Sequence, residues 1–174
     1  MSQSVPTVAD LLRAAKTSAV HLELRDSYGI TRESEGLKVW RETGTRNVDP
    51  ESDQWRSWVE LIRGATAQGV VVRRARVVSE PVSEYIRYEH AGTSVIVGAG
   101  EHVRWMSRRL ASSLALPGND FWLFDGRVVR FNHFTGEGAG AEPEYTEDPA
   151  AAELCASAFE AVWERGTPHA DYAV

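Results

Sequence analysis

Residues 69–89, GVVVRRARVVSEPVSEYIRYE, constrain the fold of this chain more than any other stretch. Gly69 is suited to end a helix in the left-handed conformation that glycine adopts without strain. The β-branched run that follows, Val70 to Val78, reads as a strand. Pro81 then sits where a new helix can begin, with Tyr85, Ile86 and Tyr88 available for packing. Upstream, Trp55, Trp58, Val59 and Ile62 repeat at i, i+3, i+4, i+7, the spacing of a core-facing helix, and Asp49-Pro50 is its expected start. A helix, a short loop, a strand and another helix form part of a βαβ-type arrangement.

The strand carries three arginines, Arg73, Arg74 and Arg76. Charged side chains inside a strand flanked by helices need partners, because an unpaired buried charge is costly. The period of two places Arg74 and Arg76 on one face and Arg73 on the other. Two guanidinium forks on one face could grip a phosphate or carboxylate. They could equally pair with Glu80, Glu84, Glu89 or Glu101 and tie the sheet to its helices, and this second reading is preferred.

The rest of the chain fits the same fold. Thr7 caps a short helix, and residues 19–26, AVHLELRD, alternate as a half-buried strand with Val20, Leu22 and Leu24 on one side and His21, Glu23 and Arg25 on the other. A loose helix is expected over Glu33 to Thr43. Residues 94–97 form a short apolar run, and 101–106 read as a strand rather than a helix, which would bring Arg104 out beside His102 on the side of Arg74. A short helix follows from Arg108 to Leu114. Asp125-Gly126, between two β-rich runs, is the signature of a two-residue hairpin turn. Asp148-Pro149 opens a last helix with Leu154, Cys155, Ala158, Phe159 and Val162 on one face, ended by Gly166 and Pro168. The expectation is a single α/β domain over residues 1–174, with a mainly parallel or mixed sheet, helices on its faces and one antiparallel hairpin.

A length of 174 residues suits one domain with a real core. The net charge of −6 argues against direct nucleic-acid binding, since a dedicated binder is usually basic on at least one face. One cysteine allows no internal disulfide, and the N-terminal stretch lacks the apolar centre of a signal peptide. No apolar run is long enough to span a bilayer. These features predict a cytoplasmic protein outside the membrane.

Chemistry-bearing motifs are scarce. The histidines lack paired helical spacing, so no metal is expected, and no cofactor motif is present: neither a P-loop nor GxGxxG occurs. There is no GxSxG, and Cys155 falls on an apolar helical face, where an inert thiol is the default. The candidate ligand-binding residues are therefore Arg74, Arg76, Glu80, Tyr85, Arg87, Glu101, Arg104 and Asp120. Ser79, at the carboxyl end of the arginine strand, reads as the cap of the next helix. Asp26, Ser27 and Tyr28 become its neighbours if the two strands are parallel, because ligands in open α/β sheets sit beyond the carboxyl ends of strands.

The segments RRARVVSEPVSEYIRYE, AGEHVRW and LALPGNDFWLFD resemble an actinobacterial family known as a domain of unknown function. The resemblance runs over nearly the whole chain and implies a helix-turn-helix regulator as a partner class. More weakly, residues 58–78 and 121–131 resemble the layout of one half of a phospholipase D-like domain, whose HxKxxxxD signature this chain lacks. That likeness implies the fold without the phosphodiesterase activity.

The resulting expectation is a non-catalytic regulatory or partner-binding domain. It would act with a helix-turn-helix regulator, as an anionic-ligand sensor, or as a homodimer. The alternative is a phosphoryl-transfer or hydrolase-type enzyme, with Arg74 and Arg76 stabilising charge and Glu80 or Asp120 as base.

Overall fold

A computed structural model describes residues 5–29 and 31–174, with backbone alone for 31–33. The first four residues of the N-terminal stretch read above lie outside it. Among the described residues, seven strands form one mixed sheet in the order β6-β5-β4-β1-β2-β3-β7. β1 (Ser18–Glu23), β2 (Val71–Val78) and β3 (His102–Ser107) are parallel, and β4 (Asp120–Phe124), β5 (Val128–Asn132) and β6 (Glu144–Thr146) extend the sheet antiparallel from β1. The two-residue β7 (Thr167–Pro168) covers the outer edge of β3.

Helices cover both faces, as parallel strands require. α1 (Val8–Ala14), α3 (Arg56–Ala67) and α4 (Glu84–Ala99) lie on one face, with α2 (Thr31–Thr43) resting on α4. α5 (Pro149–Arg165) packs on the other through Cys155, Phe159 and Val162 against Val20, Leu22, Ala75 and Val77. The 94–97 apolar run is the last third of α4, whose C-cap Gly100 adopts φ 113. No helix among the described residues is long and apolar enough to cross a membrane.

Several local expectations change. Residues 50–55 wind as turns and α3 begins only at Arg56, because Asp49 Oδ1 accepts from the Glu51 N–H and Ser52 N donates back to Asp49 O, closing short turns before a helical ring forms. The cap of α4 is Ser83, which accepts from Ile86 N at 3.1 Å; Ser79 instead binds Asp26, and Pro81 lies in the loop between them. The hairpin needs three connecting residues, since Phe124 pairs with Val128. Asp125 and Gly126 supply φ 51 and 64. Asp125 takes positive φ because its carboxylate accepts the N–H groups of Lys16, Thr17 and Ser18, locking the hairpin onto the start of β1. The segment after β3 is a 3-10 turn over Arg108–Ala111.

β1 is buried on both faces. His21 is only 7% exposed, so the polar half of its alternation faces an interior. That interior is the centre of the candidate site.

Candidate functional site

Parallel neighbours in register point to the same face. His21 therefore stands beside Arg74 and Glu23 beside Arg76 on the side covered by α3 and α4. From the other direction β4 aligns Trp122 with His21, and Asp120 follows two residues away on the same face. Three strands thus place five polar side chains and a tryptophan on the helix-covered side of the sheet, towards the carboxyl ends of β1 and β2.

The helices do not fill the space above these residues. A crevice of about 940 Å³ remains, with His21, Glu23, Arg74, Arg76, Asp120 and Trp122 on its sheet side. α3 contributes Trp58 and Leu61, α4 contributes Tyr85 and Glu89, and α2 closes part of the rim with Gly36 and Val39. Volumes of this order accommodate drug-sized ligands.

The charges at the sheet side form one alternating chain. Arg46 Nη1 lies 3.0 Å from Glu89 Oε1, and Glu89 Oε2 accepts from Arg76 Nη2 at 3.2 Å. Arg76 Nε approaches Glu23 Oε2 to 2.5 Å, an ion contact whose angle falls short of a hydrogen bond. Glu23 Oε1 accepts from Arg74 Nη1 at 2.8 Å, and Arg74 Nε donates to Glu101 Oε1 at 2.5 Å. Trp58 Nε1 closes the series on Glu101 Oε2 at 3.4 Å. Three guanidiniums alternate with three carboxylates, so the set is neutral. Burial acts to lower the Arg74 value, but Glu101 and Glu23 outweigh it and hold its guanidinium above its ordinary value.

Two groups at this floor are left over. His21 stacks on Trp122, with ring centroids 4.3 Å apart and planes at 15°, yet neither ring nitrogen has a hydrogen-bond partner among the described residues. Its Nδ1 is 3.6 Å from Glu23 Oε1, beyond hydrogen-bond reach. Burial, followed by the charges of Arg74, Arg76 and Arg130, holds its imidazole well below the usual histidine value, so the ring is neutral with one N–H and one lone pair. Arg76 Nη1 is likewise buried without a hydrogen-bond partner among the described residues.

Asp120 is the third distinctive group. It is 3% exposed and accepts from Leu24 N at 2.9 Å and from the Tyr28 hydroxyl. Burial raises its carboxyl to about 6, Glu23 adds to the rise, and the bonds from Tyr28 and Leu24 offset only part of it. The Tyr28 hydroxyl is itself pushed well above its usual value, chiefly by burial.

The crevice brings together Arg74, Arg76, Tyr85 and Asp120 of the residues singled out in the sequence, with Glu101 reaching it through Arg74. The others lie elsewhere. Arg104 aligns with Ala75, faces α5 and donates to Trp163 O at 2.9 Å, so it is on the opposite side of the sheet from Arg74. Arg87 is exposed and donates to Val82 O. Glu80 is exposed and accepts from the Tyr172 hydroxyl at 2.8 Å, beside a separate small hollow with Ser79, Arg108 and Arg109. Asp26 does meet Ser79, through two hydrogen bonds of 2.7 Å, as parallel strands predict. Arg108 clamps the same corner with bonds to Ser79 Oγ, Leu24 O and Val77 O. Cys155 is buried under the other face, its thiol pushed up to about 12.

His21, Glu23 and Arg46 are the contributors that the sequence reading passed over. The signal for the first two was present: a polar strand face in register with an arginine-bearing strand means that both polar faces meet indoors. Arg46 carries no such signal, because it reaches Glu89 from an irregular segment.

No curated protein matches the chain. Among solved structures it is similar to NucT from Helicobacter pylori, with TM-score 0.54 and 10% identity over 92% of this chain and 87% of that one. It is also similar to TrmBL2, an archaeal chromatin protein with a novel mode of DNA binding, at TM-score 0.46 and 12% identity over 91% of this chain. This chain spans 48% of the length of TrmBL2. At these identities the likenesses concern the fold. Beside the similarity to NucT, the expectation against direct nucleic-acid binding does not stand, and the net charge of −6 is not counted against such contact. The family, in contrast, is settled by sequence: residues 6–174 match the model of the Domain of unknown function (DUF6879), and the chain belongs to that family.

Proposed function

We propose that this chain is a non-catalytic, ligand-binding regulatory domain whose ligand is a small molecule held in the crevice between the sheet and α2–α4. The observation that carries the proposal is His21: a neutral imidazole whose two nitrogens have no hydrogen-bond partner among the described residues, buried at the floor of a crevice of about 940 Å³. Buried polar groups are nearly always hydrogen-bonded, and an open one at the base of a cavity supports a role in recognition.

Acid–base chemistry has one group in its favour, the Asp120 carboxyl near 6. The arginines that would stabilise developing charge are already committed to Glu23, Glu89 and Glu101. Binding therefore has more support than turnover.

The test is ligand-observed NMR with a mixture of aromatic and heteroaromatic fragments, run on the wild-type protein and on Leu61→Trp. The larger side chain projects into the crevice from α3. Saturation transfer to fragments in the wild type, lost in a folded Leu61→Trp protein, is the expected result. Absence of transfer in the wild type would overturn the proposal.

A further inference from the structure

We infer that the crevice selects an uncharged, planar heterocycle with adjacent hydrogen-bond donors and acceptors, of the nucleobase kind. This deepens the binding proposal and rests on it. Three features of the crevice define the ligand.

The first is charge. Arg46, Arg74 and Arg76 are matched one for one by Glu23, Glu89 and Glu101, with ion contacts of 2.5–3.2 Å. An anion seated on Arg74 or Arg76 would have to displace a buried carboxylate already held at ideal distance, leaving that carboxylate uncompensated. A cation would do the same to a guanidinium. The aromatic faces offer a cation little, because Arg74 already lies over Trp58 and Trp122, and Arg46 over Trp55. A neutral ligand leaves the chain of charges intact.

The second is hydrogen bonding. The floor holds one N–H and one lone pair on His21 together with a donor on Arg76 Nη1, all three buried and without a hydrogen-bond partner among the described residues. His21 and Arg76 project on the same face from neighbouring parallel strands, His21 one register pair below the Glu23–Arg76 pair on that face. Ligands that pair an acceptor with a neighbouring donor on one edge meet Arg76 Nη1 and one His21 nitrogen in either tautomer. Aliphatic alcohols and simple arenes do not. The amidine and amide edges of nucleobase-type rings do.

The third is shape. Aromatic rings line the crevice: Trp58 packs edge-on to Trp122 at 5.9 Å, and Tyr28 packs edge-on to Phe134 at 5.1 Å. A rigid planar ligand loses little conformational entropy between such walls.

Isothermal titration with adenine, cytosine and hypoxanthine, compared with indole and benzoate, tests the inference on the wild type and on His21→Phe. Phenylalanine keeps the stack on Trp122 and removes both nitrogens, so the variant folds and is no less stable in urea than the wild type. At least one of the three bases should bind the wild type about tenfold or more tightly than indole, which has a similar flat area without the paired edge. His21→Phe should erase that advantage. If indole binds and no base exceeds it, the crevice is a ligand site and the inferred class is wrong. Tightest binding by benzoate would overturn the class in favour of anions. If none of the five binds, the inference and the binding proposal fall together. A base preference that survives His21→Phe would remove His21 from recognition.

Discussion

Glu101→Ala is expected to destabilise the fold by about 3–5 kcal/mol, the cost of leaving one partner of a buried ion pair alone. Glu101 is 1% exposed and accepts from both Arg74 Nε and Trp58 Nε1, so its loss strips Arg74 of one of two carboxylates and opens a void beneath α3. The control lies on the other face of the same strand. Arg73 pairs with Glu160 through two nitrogens, but Glu160 is 49% exposed, and Glu160→Ala should cost about 1 kcal/mol or less. Urea denaturation of the two variants reads the contrast directly. Arg74→Met combined with Glu101→Leu should recover part of the loss, because removing both charges costs less than orphaning one. A Glu101→Ala penalty no larger than that of Glu160→Ala would mean that the charge chain is solvated and does not hold α3 and α4 to the sheet.

That contrast also shows what the sequence could and could not carry. The arginine strand was legible as a strand because Val70 to Val78 is β-branched, and its faces were legible because the period is two. The preference for internal pairing was right in kind: Glu89 and Glu101 do take Arg76 and Arg74. Glu23 and Glu160 were not foreseeable, since they come from 51 and 87 residues away along the chain. Register decided them. Arg104 shows the same limit from the other side: its strand was read correctly, but its face depends on alignment with Ala75 rather than Arg74, a one-residue difference that inverts the side chain. The α4 cap was misplaced because Ser79 and Ser83 are chemically identical candidates, and only the proximity of Asp26 to Ser79 breaks the tie. The crevice itself had no local signature. It exists because α3 and α4 straddle a sheet whose central strands place charged rather than bulky apolar side chains beneath them.

The same polar floor makes stability depend on pH through Asp120. Its carboxyl sits at about 6 in the folded protein against an ordinary 3.8. Below the ordinary value the group is protonated in both states and contributes nothing. Between the two values the folded chain holds a proton that the unfolded chain has released, so stability falls as pH rises. Above about 6 the full penalty of a buried carboxylate is expressed, roughly 3 kcal/mol by linkage. Asp120→Asn removes the charge while its amide oxygen still accepts from Leu24 N. The difference in unfolding free energy between Asp120→Asn and the wild type should therefore rise by roughly 2–3 kcal/mol from pH 4 to pH 8, most of it before pH 7. The titration of His21 runs in the opposite sense, because a depressed histidine loses stability as pH falls. It is common to both proteins and cancels in their difference. Any change in the Tyr28 hydrogen bond adds a constant offset over this range, since the hydroxyl titrates well above it. The slope, not the offset, is therefore diagnostic. A difference that stays flat from pH 4 to pH 8 would mean that Asp120 is ionised throughout and that its environment is wetter than a site 3% exposed allows.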